Sequence, residues 1–396
     1  MKHLFERNIY LMYAATALSW TRFHVSVLPL FYIASQVPLE EFMIIMAAYA
    51  LIILFLEVPS GVVADILGKK NTLLIARSLY IIELSTLAFA NGFWPFLFAK
   101  VISGVGTSLA SGTTQALMYD SLKRLKREDD FKQTYGMLRM IRSIMMSFVF
   151  IIGAWLFTID VKLPAKLSTI GAVLCVIVTC FKTEPYKSRK KLRFSTSWKH
   201  LRQCFSYFKG HGYVKYITFY AMSIAVVLNI AITVSAKYYE LISYPIAFIG
   251  VLASVASLAT AFTSKKAHQI ENFFGEKRTL QIIQWGGLIG IFLMSLMIPY
   301  WGFLFMLIIT GAAGLFWIVV DHYVNLHIPT SHRATMLSIK NLFVQFSIAL
   351  LFPIIGYVTK FTSMGTGFLT LGIIGLISCI SLAIYTKTLR LSQITN

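Results

Sequence analysis

Long apolar runs separated by short polar stretches fill almost the whole chain. Runs of this length predict membrane helices, because about 20 residues at 1.5 Å rise cross the hydrocarbon core of a bilayer. We number twelve of them as segments 1 to 12: 8–34, 40–66, 71–91, 94–119, 135–158, 165–182, 213–239, 245–264, 279–298, 301–325, 334–360 and 364–386. The pattern therefore predicts an all-α membrane protein with twelve transmembrane helices.

Composition supports this class. The chain is 57% hydrophobic and only 13% charged, with a mean hydropathy of +0.71, whereas soluble domains carry about 25% charged residues. Segment 1 is too long for the core of a secretory signal and lacks a small-residue cleavage site, so we expect it to be retained.

The lysines and arginines behind the net charge of +20 are distributed unequally between the two sides of the membrane. With the N-terminus in the cytoplasm, 25 of the 36 lysines and arginines fall on the cytoplasmic side and four on the outer side. Cytoplasmic loops of membrane proteins carry this excess. The bias favours a bilayer rather than nucleic acid as the partner, in the cytoplasmic (inner) membrane with both termini inside.

Conventional catalytic patterns are missing from the sequence. The four cysteines show neither metal-ligand spacing nor a disulfide framework. We find no nucleotide-binding loop, nucleophile elbow or dinucleotide fingerprint. We therefore expect no enzyme activity, no metal and no cofactor, and any pumping must use a gradient of ions or solute.

A polar, basic stretch at 183–212 divides the chain into an N-terminal bundle, 1–182, and a C-terminal bundle, 213–396. The two bundles carry similar motifs at equivalent positions. These pairs are Asp65-x-x-Gly68-Lys69-Lys70 with Asn272-x-x-Gly275-Glu276-Lys277-Arg278, Asp120 with Asp321, and Gly136-Met-Leu with Ala334-Thr-Met-Leu. Duplication predicts two pseudo-symmetric six-helix bundles, an architecture of many secondary transporters.

The loop between segments 2 and 3 carries a family signature. Its residues match Gly-x-x-x-Asp-x-x-Gly-[Arg/Lys]-[Arg/Lys] in full, at Gly61, Asp65, Gly68, Lys69 and Lys70. The chain resembles the major facilitator superfamily over its whole length, which implies a twelve-helix transporter that is usually monomeric.

Segment 4 adds a second, narrower resemblance. The run from Lys100 to Gly106 resembles a motif of the drug:proton antiporters, with Lys100 in place of the usual arginine. The glycine-proline motif of segment 5 in that branch is missing, since Gly153 stands nearly alone.

The resemblance implies that the signature loop acts as a conformational latch. Asp65 would hold the start of segment 11, near Arg333, while Gly61 allows close helix approach and Gly68 permits the turn. Asp120 ends segment 4 on the cytoplasmic side, and we expect Arg139 and Arg142, at the start of segment 5, to be its partners in a charge cluster there.

Two acids in membrane segments are candidates for proton coupling: Glu57, on the same helical face as Gly61 and Asp65, and Glu83 in segment 3. A structural ion pair is the alternative for both. Arg22 in segment 1 would pair with one of them or with substrate, on a polar stripe shared with Ser19 and Ser26.

Other polar or aromatic side chains in membrane segments could line a substrate cavity, although each could equally hold neighbouring helices together. These candidates are Lys100, Gln115, Asn229, Trp317, Lys340, Asn341 and Gln345.

These features predict a secondary transporter of a small organic solute, with protons as coupling ion. Cations outnumber acids within the segments, which favours an anionic or zwitterionic substrate such as a carboxylate metabolite or siderophore. Proton-coupled export is the first reading. Uptake of a solute or metal chelate by symport, multidrug efflux, and a non-transporting sensor or scaffold are the alternatives.

Overall fold

The computed structural model describes residues 2–186, 208, 210–326 and 333–394. Its described part is helical and contains no strand. The α-helices are α1 Lys2–Ser19, α2 Leu28–Ala34, α3 Leu39–Leu67, α4 Lys69–Phe89, α5 Phe93–Ala110, α6 Thr113–Leu125, α7 Phe131–Ile159, α8 Leu163–Cys180, α9 Gly212–Thr233, α10 Ser235–Leu241, α11 Ile246–Ser295, α12 Gly302–Leu326, α13 Arg333–Phe361 and α14 Met364–Ile394. Two 3₁₀ turns, Phe23–Val27 and Glu128–Asp130, complete the set.

Within these described ranges, ten helical stretches are long and apolar enough to cross a membrane. They account for the twelve predicted segments in the following way. Segment 1 is broken into α1, a 3₁₀ turn and α2, so no part of it is counted. Segments 8 and 9 run together as α11, with a non-helical residue at Gly275. The all-α membrane fold is confirmed, while single helices for segments 1, 4 and 7 are wrong.

The break in segment 1 has a packing cause. The chain leaves the helix after Ser19, and Arg22 has φ −101° and ψ 72°. Glycines on α7 and α8 make room for this irregular stretch: a Cβ at Gly153 would lie 1.9 Å from the Phe23 carbonyl oxygen, and one at Gly171 would lie 1.9 Å from Thr21 Oγ1. Gly153 therefore serves close packing against the break.

The chain forms two compact units. Unit 1 contains Met1–Pro38, the described part of Ala48–Ser197, and Ile246–Ser254. In it α4 packs against α5 and α8, and α1 packs against α6, α7 and α8. Unit 2 contains Leu39–Ala47 and the described parts of Trp198–Pro245 and Val255–Asn396. Its centre is α9, which packs against α12, α13 and α14.

Most of the linker proposed at 183–212 lies outside the described residues, so the proposed domain boundaries stay a prediction. The internal repeat, in contrast, has a backbone counterpart. Gly68, between α3 and α4, has φ 85° and ψ 152°, and Gly275 within α11 has φ 75° and ψ 168°. Both copies thus turn through a glycine in the positive-φ region, where a side chain would be strained.

Candidate functional site

Three charged side chains meet in the interior of unit 1, and we call Arg22, Glu83 and Lys100 the buried charge cluster. Glu83 on α4 is fully buried. Its Oε1 lies 3.3 Å from Lys100 Nζ of α5, and its Oε2 lies 3.7 Å from a terminal nitrogen of Arg22. One carboxylate therefore faces two cations, and the cluster has an excess of positive charge.

Aromatic rings and a hydroxyl enclose the cluster. The Arg22 guanidinium lies 4.2 Å from the Tyr80 ring centroid, and Lys100 Nζ lies 5.3 Å from that of Tyr49. Both tyrosine hydroxyls lie 3.1 Å from Thr107 Oγ1. Cation–π contacts of this kind compensate part of the cost of burying the two cations.

Buried polar atoms without hydrogen bonds accompany the cluster. Within the described ranges, neither ring nitrogen of His24 has a hydrogen-bond partner. A cavity of about 10 Å³ beside Arg22 and Tyr80 has room for about one water molecule. An organic substrate does not fit there, so binding one next to Arg22 requires the site to open.

The polar stripe expected on segment 1 does not form, because the helix breaks at the residues that would carry it. Ser19 Oγ donates to the Thr16 carbonyl oxygen (2.9 Å), and Ser26 Oγ donates to that of Phe23 (3.1 Å). Both hydroxyls thus bond to their own backbone. Of the stripe, Arg22 alone belongs to the buried charge cluster.

The signature turn is held by an acid that the sequence analysis missed. The Glu184 carboxylate accepts hydrogen bonds from the backbone N–H groups of Lys69 (3.1 Å) and Lys70 (2.6 Å), at the N-terminus of α4. An anion is favourable there, because the first N–H groups of a helix have no intrahelical partner. A Cβ at Gly68 would lie 3.2 Å from Glu184 Oε2. The missing side chain of Gly68 therefore also leaves room for the Glu184 carboxylate at the N-terminus of α4.

Residues 181–186, which we call the strap, connect the helices of unit 1 at the end that carries the signature turn. Asn8 donates to the Thr183 carbonyl oxygen (2.7 Å) and accepts from the Thr183 N–H (2.8 Å). Arg124 donates to the Pro185 carbonyl oxygen at 2.9 Å. Lys182 is 4% exposed, and burial lowers its pKa to about 8. The strap therefore ties α1 and α6 to the signature turn.

Asp120 pairs with Lys69 of the signature turn, which corrects the expected pairing with Arg139 and Arg142. Both arginines are exposed on α7. The Arg142 guanidinium stacks over the Trp20 ring, 3.9 Å from its centroid. On the neighbouring α6, Gln115 donates to the Tyr135 hydroxyl at 2.5 Å. The predicted charge cluster is thus two separate features.

The remaining signature and coupling candidates lie on α3. Glu57 is half-buried and Asp65 is exposed, and the single helix keeps them on one face with Gly61. A Cβ at Gly61 would meet no described atom within 4 Å. The close helix approach expected at Gly61 is therefore not what this structure shows.

In unit 2, Lys340 of α13 pairs with Asp321 of α12, as Lys69 pairs with Asp120 in unit 1. Lys340 is 4% exposed, so it serves as a neutralised structural cation rather than the open cavity cation of the sequence analysis. The other candidates of unit 2 are half-buried or exposed: Asn229, Trp317, Asn341 and Gln345.

A groove of about 430 Å³ lies between α9, α13 and α14 in unit 2. Four serine hydroxyls on its walls each bond to a carbonyl oxygen one turn earlier in the same helix: Ser223, Ser347, Ser378 and Ser381. The groove surface is therefore largely apolar, and none of the sequence candidates lines it.

Comparison with known proteins places these features in a family. The sequence profile of the Major Facilitator Superfamily matches residues 9–272. No curated protein sequence matches the chain significantly.

Solved transporter structures are similar in fold. The nucleoside transporter NupG superposes with a TM-score of 0.76 at 15% identity, covering 97% of this chain and 99% of the other. A D-xylose-proton symporter gives 0.71 at 14%, covering 96% of each chain. A POT family transporter in complex with 5-aminolevulinic acid gives 0.73 at 14%, covering 95% of each. With the profile match over two thirds of its length, this chain belongs to the Major Facilitator Superfamily and has the fold of its transporters.

Proposed function

We propose that this protein is a proton-coupled secondary transporter of a small organic solute that carries a carboxylate or another anionic group. The observation that carries the proposal is the buried charge cluster, in which Glu83 is the one carboxylate among the described residues that pairs with Arg22 and Lys100. Charges inside membrane proteins are costly and are retained where they serve ion or substrate pathways. An excess of cations at such a place favours an anionic substrate.

The charge balance of the cluster also couples the binding of a proton to the binding of the solute. Adding a proton to Glu83 would leave two cations without a counter-charge in a buried site, which is strongly unfavourable. A solute carboxylate at Arg22 would restore the balance. Proton and anion therefore stabilise each other's binding, and we expect them to travel together.

This linkage favours symport over antiport. In an antiporter the proton and the solute occupy the protein alternately, whereas here each promotes the binding of the other. Proton-coupled export was the first expectation from the sequence, with uptake by symport as the alternative. The arrangement around Glu83 supports the alternative, in which an inward proton gradient drives solute uptake across the cytoplasmic membrane.

The sign of proton movement tests the proposal. Purified protein would be reconstituted into liposomes that contain a pH-sensitive dye, and benzoate, citrate or a dipeptide would be added outside. Cotransport acidifies the interior beyond protein-free liposomes, whereas exchange makes it alkaline. We expect acidification in wild type and none in Glu83→Gln, with Asp129→Asn, an exposed acid, as the matched control.

Alkalinisation would support the antiport reading, and a response to a lipophilic cation but to no anion would support multidrug efflux. Either result would contradict the proposal.

A further inference from the structure

We infer that the groove between α9, α13 and α14 of unit 2 binds an anionic phospholipid, with one acyl chain in the groove and the phosphate group at Lys215. The inference goes beyond the proposed function and does not depend on which solute the protein carries. Its basis is the combination of an apolar groove, a length that matches one leaflet of a bilayer, and a cation at the end of the groove.

The walls of the groove suit hydrocarbon. Phe219 of α9, Leu351 of α13 and Ile377 of α14 line it, and its four serine hydroxyls bond to carbonyl oxygens of their own helices. The apolar wall continues through Phe208, whose ring centroid lies 6.4 Å from that of Phe219 and 5.3 Å from that of Phe343. A site for a polar solute needs polar groups that face the solute, whereas these walls favour an acyl chain.

The length of the groove corresponds to one leaflet. On α14 its lining runs from Ile374 to Tyr385, which is about 16 Å at 1.5 Å per residue. The hydrocarbon core of a bilayer is about 30 Å thick, so one leaflet supplies about half of that. Tyr385 is also the last residue of the membrane span Met364–Tyr385. The groove therefore follows the path of an acyl chain from the bilayer surface near Tyr385 to the midplane.

Lys215 lies at the same end of the groove as Tyr385. It is the fourth residue of the membrane span Gly212–Thr233, and its neighbour Tyr216 lies within electrostatic range of Cys379 on α14. A spacing of four residues puts Lys215 on the same face of α9 as Phe219. Lys215 is thus one turn beyond the groove wall and close to the end of its span, at the level of the lipid headgroups.

No acid neutralises Lys215 within the part of the chain that the structure describes. Its side chain is half-buried there and forms neither an ion pair nor a hydrogen bond. Glu276, which lies within electrostatic range of Tyr216, accepts a hydrogen bond from the Tyr213 hydroxyl instead. A cation at this level attracts the phosphate of an anionic lipid. In the topology that the charge bias predicts, this is the cytoplasmic leaflet.

The pairing of an apolar groove with a cation distinguishes a phospholipid from other occupants. A soluble anion would engage Lys215 and leave the groove empty, and a second copy of the chain would cover the groove without needing the cation. The groove is also accessible from the side, because Phe219 and Ile377 are 39% and 58% exposed. A phospholipid carries the phosphate and the acyl chain in one molecule, and it therefore fits both features.

Thermal unfolding of the purified full-length protein in detergent, titrated with lipid, tests the inference. Dioleoyl phosphatidylglycerol and dioleoyl phosphatidylcholine have the same chains, but only the first has a net negative charge. We expect both to raise the unfolding midpoint saturably, with half-saturation at an about fivefold lower content of phosphatidylglycerol. Glycerol phosphate, which has the anionic group without the chains, should leave the midpoint unchanged.

A variant of the cation tests the headgroup contact. Lys215→Gln should lose the about fivefold preference for phosphatidylglycerol and still respond to both lipids. Lys123→Gln, an exposed cation on α6, is the matched control and should keep the preference of wild type.

A variant of the groove tests the position of the chain. Ser378→Trp fills the groove and should raise the half-saturating content of both lipids about tenfold or more. Ser143→Trp is the matched control, because this exposed serine of α7 also bonds to a carbonyl oxygen one turn earlier, and it should respond as wild type does. If Ser378→Trp fails to fold, Ser381→Trp replaces it, at an exposed position on the same wall.

Equal half-saturation by the two lipids in wild type would overturn the inference, and so would an unchanged preference in Lys215→Gln. Equal lipid responses of the groove variant and Ser143→Trp would place the chain elsewhere. Stabilisation by glycerol phosphate would identify a soluble anion as the ligand, and a dimer in sedimentation that Ser378→Trp dissociates would identify a second copy as the occupant. Both results would contradict the lipid site. These measurements involve no transport, so the inference and the proposed function fail independently.

Discussion

Glu83 has two cationic neighbours, and its charge is the residue-scale feature on which the proposed function depends. Arg22 and Lys100 approach it from different parts of unit 1, at 3.7 and 3.3 Å. All three residues stand out in the sequence, because charged residues in apolar segments are conspicuous. Glu83 was one of the partners expected for Arg22, but the sequence could not choose among them or join Lys100 to the pair, since these contacts depend on how α4 and α5 pack and on where segment 1 breaks.

Replacing Glu83 by Gln should destabilise the protein as well as stop coupling. The change leaves the buried Lys100 and the half-buried Arg22 without their carboxylate, a loss of about 3 kcal/mol. Thermal unfolding of the purified protein measures it, with the exposed acid Asp129→Asn as control. Equal unfolding midpoints for the two variants would show that the cluster is not a buried ion-pair network.

Lys182 of the strap predicts a pH dependence of stability. Burial lowers its pKa to about 8, below the value of about 10.4 for an unfolded lysine. The folded state therefore holds this proton less tightly, and the penalty is full below pH 8 and disappears as the pH rises towards 10.4.

The variant Lys182→Met removes that penalty. It should raise the unfolding midpoint at pH 7, with a gain of up to about 3 kcal/mol in the free energy of unfolding, and the advantage should shrink by pH 10. The exposed Lys123→Met is the control. A stability gain of Lys182→Met that is the same at pH 7 and pH 10 would contradict the lowered pKa of Lys182.

Helices and turns follow the sequence closely where one local signal decides the backbone. The positive φ of Gly68 and Gly275, 207 residues apart, gives the signature turn and its echo the same shape. The break in segment 1 was not foreseen, because hydropathy is continuous across it and its cause lies in glycines of α7 and α8. Glu184 escaped notice for a related reason, since its acceptor role depends on the strap folding back onto α4.

Two alanine substitutions, one at the signature turn and one before it in α3, should behave oppositely. Gly68→Ala imposes a side chain at φ 85°, which costs about 1–2 kcal/mol, and it crowds Glu184. Gly61→Ala sits within α3 with open space around it, so helix propensity makes it neutral or stabilising by up to about 1 kcal/mol. Unfolding midpoints that fall equally in both variants would contradict this explanation.

For the whole molecule, the alternation of apolar and polar stretches was sufficient to predict an all-α membrane protein, and the signature loop was sufficient to indicate its superfamily. The substrate was beyond reach, since it is chosen by a few side chains that meet only after folding. Arg142 illustrates this limit. Its expected acidic partner, Asp120, pairs with Lys69 instead, and the Arg142 guanidinium lies over the Trp20 ring.

The latch remains a prediction about the whole molecule. Asp65 is exposed at the end of α3, and we expect its carboxylate to stabilise one of the conformations that exchange during transport. Asp65→Asn should therefore unfold at the temperature of wild type and yet transport far more slowly. An unchanged rate in reconstituted liposomes would remove the latch from the mechanism.

Counterflow tests the central claim, that this chain carries an anionic solute across the membrane, most directly. Liposomes containing the protein are loaded with an unlabelled carboxylate that stabilises it and then diluted into a trace of the labelled compound, without any pH gradient. The account predicts transient accumulation of label in wild type and none in Arg22→Gln. Label that never exceeds its level in protein-free liposomes, for every carboxylate that binds, would contradict it.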